Sequence, residues 1–259
     1  MQSIVAALFG TDGESRDYAP LLKWILVNAL AAFGVIVLFY FGIIQQMLDT
    51  DPTRIALVII GIFVVTALHC LYQTVIVSRE LIVARKVRDA IIDSGGRPLQ
   101  ILDDRVVTPD GRELEPGIIT NHIYDLFAKS RALGGKRLDQ TLLLRSLADQ
   151  LRSREKLGLF ISESLLRLAL LGTAVGFILM LIPIAGLESF DVETLRQTLT
   201  GMTEGMAIAL NVTVTGIATA LLLKFEYYLL DEAIADLFHM ITEVTEVYVV
   251  PSIERSADV

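Results

Sequence analysis

The chain has 259 residues, of which 53% are hydrophobic and 20% charged, and its formal net charge is −8 at pH 7. A soluble domain of this length rarely carries so large an apolar fraction, so the composition favours insertion into a membrane. A single cysteine excludes metal sites of the paired-cysteine type, and the interleaving of basic with acidic residues argues against nucleic-acid binding.

Residues 1–20 are interpreted as an N-terminal interfacial segment. Its first ten residues are apolar, and they are followed by acidic residues rather than preceded by positive charge. That order argues against a cleavable signal peptide. A short helix along the membrane surface and a loosely ordered tail are equal alternatives for this start.

Four windows are long enough to cross the hydrocarbon core of a bilayer, which needs about 20 helical residues. They run from Leu21 to Ile44, from Ile55 to Val77, from Leu168 to Leu187 and from Gly205 to Leu223. Short connectors join the first window to the second and the third to the fourth. The sequence therefore predicts an outer transmembrane hairpin over residues 21–77 and a second hairpin over residues 158–223.

Lysine and arginine are concentrated between the two hairpins, in residues 78–157. The stretch from Arg79 to Lys156 holds 15 of the 22 basic residues of the chain. Because cytoplasmic loops of membrane proteins are enriched in Lys and Arg, this region is predicted to be cytoplasmic, together with both chain termini. The predicted location is the bacterial inner membrane.

Span two is expected to continue as a helix to Ser94 in the cytoplasmic region. A turn-rich string follows, and it predicts a small hairpin in which Ile101–Val107 pairs with Glu113-Leu114. A short helix is predicted over residues 117–133. A long helix is predicted to begin at Leu138 and to run on through span three.

Residues 224–259 are interpreted as a cytoplasmic helical tail. Within it, span four is expected to continue as a helix past Lys224 to Val250, where Pro251 ends it. Acidic side chains along the tail, with Glu226 the first of them, suggest a solvated exterior. The predicted fold is an all-α membrane protein with four transmembrane helices. Spans two, three and four carry long cytoplasmic extensions, and a small cytoplasmic hairpin completes the chain.

Spans three and four carry small and polar residues at regular spacing. Small residues three or four positions apart allow helices to approach closely in lipid. The pairs are Gly172 with Gly176, Ala209 with Thr213, and Gly216 with Ala220. Threonine hydroxyls in such helices can bond their own backbone, line a polar pore, or do both. Asn211 needs a hydrogen-bonding partner in hydrocarbon, and either helix packing or a water-filled passage would supply one.

No Asp or Glu lies inside the four windows. A proton-driven device needs a group that changes its charge within the membrane, so a partner is expected to supply that group. His69 in span two has no acid in the same span, which favours a satisfied or interfacial histidine over a proton relay. No spaced set of His, Cys or carboxylate residues predicts an enzyme active site or a metal site.

Two sequence elements resemble those of the MotA/TolQ/ExbB family, the large subunits of ion-driven membrane motors. Leu171-Gly172-Thr173 with Gly176 resembles the family's GTxxG element. Gly205 to Leu210, followed by Thr213 and Gly216, is similar to its GxxxALxxTxxG element. The resemblance covers residues 138–250, and the first hairpin agrees in topology only. Four spans are similar to the flagellar-stator branch and to the motor subunit of the Zorya phage-defence system.

The resemblance implies five copies of this chain around two copies of a single-span small subunit, whose membrane Asp carries the ion. Spans three and four would line the pore, and spans one and two would face lipid. The residues that this implies, or that we add from the pattern, fall into two sets. The pore-lining set is Thr173, Thr213, Thr215 and Asn211, and the helix-packing set is Gly172, Gly176, Gly216 and Ala209.

The transported ion would be H⁺ or Na⁺, with no cofactor. Arg85, Lys86 and Arg88 follow span two and are candidate contacts for a cytoplasmic partner. The driven process would lie in the outer domain of the small subunit. A passive membrane scaffold, in which the small residues only pack helices, is the alternative that the pattern leaves open.

Overall fold

The structure is a computed structural model. It describes residues 19–42, 44–45, 53–94, 99–102, 105–134, 138–186 and 191–257. The surface helix or tail predicted at the N-terminus lies outside the described residues, as does most of the connector between spans one and two.

Helices dominate the described part of the chain. They are α1 (Ala19–Tyr40), α2 (Ile55–Asp93), α3 (Ile118–Leu133), α4 (Thr141–Ala185) and α5 (Val192–Val244), followed by a π-helical turn (Thr245–Val249) and α6 (Val250–Ala257). Two short strands, β1 (Gln100–Leu102) and β2 (Arg105–Val107), pair in antiparallel register. Four helices among the described residues are long and apolar enough to cross a membrane, and they begin at Ala19, Ile55, Thr141 and Val192. The chain is therefore mostly helical, and its four apolar helices indicate a multi-pass membrane protein.

Local capping sets where two of the long helices begin. The Thr141 amide donates to Asp139 Oδ1 at 2.9 Å, so α4 starts three residues after the predicted Leu138. The Thr194 amide donates to Asp191 Oδ1 at 2.8 Å, which caps α5 at its first turn. The connector between the third and fourth windows is partly helical, because α5 already begins at Val192.

Pro251 does not end the tail helix, contrary to the sequence prediction. The five residues before Val250 form a π-helical turn, and the Val250 amide donates to Thr245 O, five residues back. A π turn shifts the hydrogen-bond ladder by one residue. Pro251 then falls in the first turn of α6, where a missing amide proton is tolerated.

The strand predicted over Ile101–Val107 is two strands, β1 and β2, whose register pairs Gln100 with Val107 and Leu102 with Arg105. Beyond β2, Val107 forms an isolated antiparallel bridge with Glu113. The turn between them contains Gly111 at φ 80°, in the left-handed region that glycine favours.

The chain divides into two compact units. Unit one comprises Met1–Lys23, Tyr72–Glu155 and Leu229–Val259, and unit two comprises Trp24–Leu71 and Lys156–Tyr228. Within unit one, Glu80 Oε2 accepts a 2.8 Å hydrogen bond from the Ile118 amide and so caps α3. The Leu138 amide donates to Glu254 Oε1 at 3.0 Å, which ties α6 to the residues before α4.

Buried side chains of unit one surround one buried histidine on α3. Ile119, Ile123 and Leu126 are almost fully buried on the same helix. Burial lowers the pKa of His122, while Gln140 and Asp125 act in the opposite direction. We therefore assign a neutral imidazole to this core.

Candidate functional site

Helices α4 and α5 approach each other at a series of glycines in unit two. A Cβ atom added to Gly176 would lie 2.7 Å from the Ala209 backbone nitrogen, and one added to Gly205 would lie 2.5 Å from the Met180 nitrogen. The other close approaches are Gly172 with Val212, Gly216 with Ala169, and Gly201 with Pro183. Residues further along α4 contact residues that lie earlier in α5, so the two helices form an antiparallel hairpin.

All four residues of the helix-packing set lie at this contact. Gly172, Gly176 and Gly216 each meet a residue of the opposite helix, and Ala209 is the residue that Gly176 meets. Because two of these contacts are with backbone atoms or Cβ atoms, a side chain at Gly176 or Gly216 could not be accommodated by a rotamer change alone. The hairpin depends on the absence of side chains at these positions.

Thr173 and Thr213 lie on the same side of the α4–α5 hairpin. Each follows a contacting residue by one position, Gly172 on α4 and Val212 on α5. Successive side chains are about 100° apart around a helix. In an antiparallel pair of helices, the residues that follow two facing residues therefore project to the same side of the pair. Both threonines are partly exposed there and lie at nearly the same height.

The hydroxyl groups of these threonines bond their own helices. Thr173 Oγ1 donates to Leu170 O at 2.6 Å, and Thr213 Oγ1 donates to Ala209 O at 2.8 Å. A hydroxyl oxygen that has used its proton in this way still carries lone pairs. The pair can therefore accept a hydrogen bond from an acid or contact a cation.

Asn211 and Thr215 are placed differently from the threonine pair. Asn211 precedes Val212 by one residue, so its side chain projects to the opposite side of the hairpin, about 200° around α5 from Thr213. Thr215 is buried and donates to Asn211 O at 2.8 Å. Within one chain, the four residues of the pore-lining set are thus divided between two sides of the hairpin and its interior.

An apolar stripe runs along the outer side of α5. Its members recur every three or four residues and are each at least two-fifths exposed: Met206, Leu210, Val214, Ile217 and Leu221. No residue of α1 is buried, although this helix is strongly apolar. Lipid or neighbouring chains must cover such surfaces, since water does not.

His69 of α2 is hydrogen-bonded to a buried tyrosine of α5. Its Nδ1 lies 2.8 Å from Tyr227 Oη, and the two rings stack with centroids 6.5 Å apart. Tyr227 also lies over Gly158 of α4, where a Cβ atom would overlap the tyrosine ring. His69 is a satisfied histidine, as the sequence favoured.

Glu226 is the polar residue that sequence reasoning misplaced. It was predicted to face a solvated exterior, but its side chain is 0% exposed. The sequence does contain a signal, because Glu226 continues the stripe of buried residues that includes Leu223 and Leu230 on the same helix. A prediction based on charge alone overlooked this periodicity.

The three basic residues after span two lie on α2 in unit one. Lys86 Nζ pairs with Glu115 Oε1 at 2.7 Å, and Arg88 pairs with its neighbour Asp89 at 3.0 Å. Together with Arg85 they line a groove whose opposite wall, on α5, includes Asp236, His239 and Glu243. The groove carries charges of both signs, so it is not a purely basic surface.

Comparison with protein-family models, curated proteins and solved structures finds no match to the chain. Among the described residues, no group of three or more His, Cys, Asp or Glu is placed to hold a metal ion. The fold and the hairpin define the chain as a multi-pass helical membrane protein.

Proposed function

We propose that this chain is the pore-forming large subunit of a rotary motor driven by an ion gradient across the bacterial inner membrane. Five copies surround a dimer of a single-span partner that carries an Asp in the membrane. The observation that carries the proposal is the shared position of Thr173 and Thr213 on one side of a glycine-packed hairpin. These residues belong to the two elements that resemble the MotA/TolQ/ExbB family.

The threonine pair supplies uncharged oxygen atoms at the level where the partner's Asp would sit. An ion arriving from the outer side neutralises that Asp beside Thr173 and Thr213. A carboxyl group without charge can then pass the apolar stripe of α5, whereas a carboxylate cannot, because a charge near the centre of a membrane costs several kcal/mol. At the next interface the Asp releases its ion toward the cytoplasm.

Each such step turns the pentamer against the dimer, and five subunits around two keep the binding sites out of phase. The membrane potential supplies about 2.3 kcal/mol per charge per 100 mV. The extensions of α2, α4 and α5 transmit the torque, with residues 78–157 and both termini on the cytoplasmic side. Arg85, Lys86 and Arg88 remain the candidate contacts for a cytoplasmic partner.

A passive membrane scaffold is the second candidate, and one observation favours it. The hydroxyls of Thr173 and Thr213 are already bonded to their own helices. Helix packing alone therefore accounts for the threonines and the glycines without any ion. The two candidates differ in whether the hairpin conducts ions.

Ion flow into lipid vesicles distinguishes the motor from the scaffold. The chain is reconstituted with and without the proposed single-span subunit, and an inside-negative potential is imposed with valinomycin and K⁺. We expect uptake of H⁺ or Na⁺ only when both subunits are present, because the chain lacks the partner's Asp. Uptake no faster than in protein-free vesicles, with both subunits present, contradicts the motor and supports the scaffold.

A further inference from the structure

The carboxyl group of Glu226 lies in unit two, between α5 and α1. Asn28 and Trp24 of α1 direct their side chains at it, but neither reaches hydrogen-bonding geometry. Among the described residues, both carboxyl oxygens and the Trp24 indole nitrogen are buried without a hydrogen-bond partner. The side chain itself is 0% exposed.

No described cation faces this carboxyl group. From α1 it meets Asn28 and Trp24, and on its own helix it adjoins Tyr227, whose hydroxyl is engaged by His69. Lys23, one residue before Trp24, is paired with Glu232 at 2.9 Å. Burying an ionised carboxylate without a counter-charge costs far more than burying the neutral acid, so such a group binds a proton instead.

The two polar side chains beside the carboxyl group are both uncharged, so they do not replace a counter-charge. Asn28 Nδ2 donates to Trp24 O at 3.1 Å, within its own helix. That bond commits one of the two amide protons and leaves the second proton and the Oδ1 acceptor of Asn28, so the amide can serve either form of the carboxyl group. The Trp24 indole N–H is a donor only, and neither group carries the positive charge that a buried carboxylate needs.

We propose that Glu226 is a proton-binding site carried by this chain itself, at which the carboxyl group is held as the neutral acid between α1 and α5. The inference goes beyond the proposed motor function and does not depend on it. If both hold, the large subunit contributes a second titrating group, next to the cytoplasmic end of span four, in addition to the partner's Asp.

Chemical labelling of the full chain in lipid vesicles tests this site without the partner. Dicyclohexylcarbodiimide is apolar and reacts with protonated carboxyl groups, and the modified residue is identified by peptide mass spectrometry. We expect Glu226 to be labelled at neutral pH and the labelling to be lost as the pH is raised. Glu232 is the matched control on the same helix, because its half-exposed carboxylate is paired with Lys23 and is expected to stay unlabelled.

Two further measurements separate a proton site from its alternatives. Glu226→Gln imitates the neutral acid, so we expect it to remove the label and to leave the melting temperature of the purified chain unchanged. A large fall in melting temperature means that the charged form is needed and overturns the proposal. So does labelling of Glu226 no stronger than that of Glu232, or protection of Glu226 when choline chloride is replaced by NaCl at constant pH, which identifies a Na⁺ site.

Discussion

Replacing Thr213 with valine is expected to reduce potential-driven ion flow several-fold while leaving subunit assembly intact. Valine keeps the branched shape, and the lost hydroxyl proton is bonded only to Ala209 O of the same helix. What disappears is the oxygen that, in the proposed motor, would face the partner's Asp. Because this oxygen can only accept, it would bond the O–H of the neutral acid. A hydrogen bond between uncharged groups is worth about 0.5–1.5 kcal/mol, which corresponds to a fall in rate of roughly 2- to 10-fold.

Thr203→Val is the matched control for this experiment. Thr203 is exposed near the start of α5, and its hydroxyl also donates to its own backbone, to Leu199 O at 2.9 Å. The same chemical change there is expected to leave the ion flow of the vesicle assay unaltered. Wild-type flow in the Thr213 variant would remove Thr213 from the ion pathway and favour a packing role.

Introducing valine at Gly176 is expected to separate α4 from α5. The new Cβ atom would lie 2.7 Å from the Ala209 nitrogen and 2.8 Å from its Cα, and backbone atoms cannot turn aside as a flexible side chain can. Overpacking of a well-packed contact costs about 3 kcal/mol at its upper range. We expect a clear fall in the melting temperature of the purified chain and a loss of ion flow.

Gly34→Val on α1 makes the same chemical change in open space, since a Cβ atom there meets nothing within 4 Å. This variant is expected to melt at the wild-type temperature or slightly above it, because glycine is a poor helix former. Equal melting temperatures for the two variants would show that the α4–α5 contact is looser than the glycine geometry requires.

Apolar length was enough to predict the four long helices, because a helix that crosses a membrane must be both long and uncharged. The start of α5 was not predicted, since Glu193 and Arg196 interrupt the hydropathy of residues 192–204. Asp191 as an N-cap and Glu193 in the first helical turn were the available signals. Helix α6 was missed because a π turn before Pro251 moves the proline into a position that tolerates it.

The candidate site was predictable in its residue types but not in its arrangement. Regular spacing singled out Gly172, Gly176 and Gly216, but not Gly201 and Gly205, which also lie at the α4–α5 contact. The side of the hairpin on which a threonine lies depends on which residues of α4 and α5 face each other. Only the structure supplies this information, through the contact of Gly172 with Val212. Helix periodicity alone could have predicted that Asn211 and Thr213 lie on different sides of the helix, because residues two positions apart are separated by about 200° around the helix axis.

Native mass spectrometry of the assembled complex tests the central claim most directly. The chain is co-expressed with the genes that neighbour its own, the assembly is purified, and the copies of each subunit are counted. The motor predicts five copies of this chain with two copies of an Asp-bearing single-span subunit. A lone monomer or dimer of the chain, with no such subunit bound, contradicts the motor and leaves the membrane scaffold as the account of the α4–α5 hairpin.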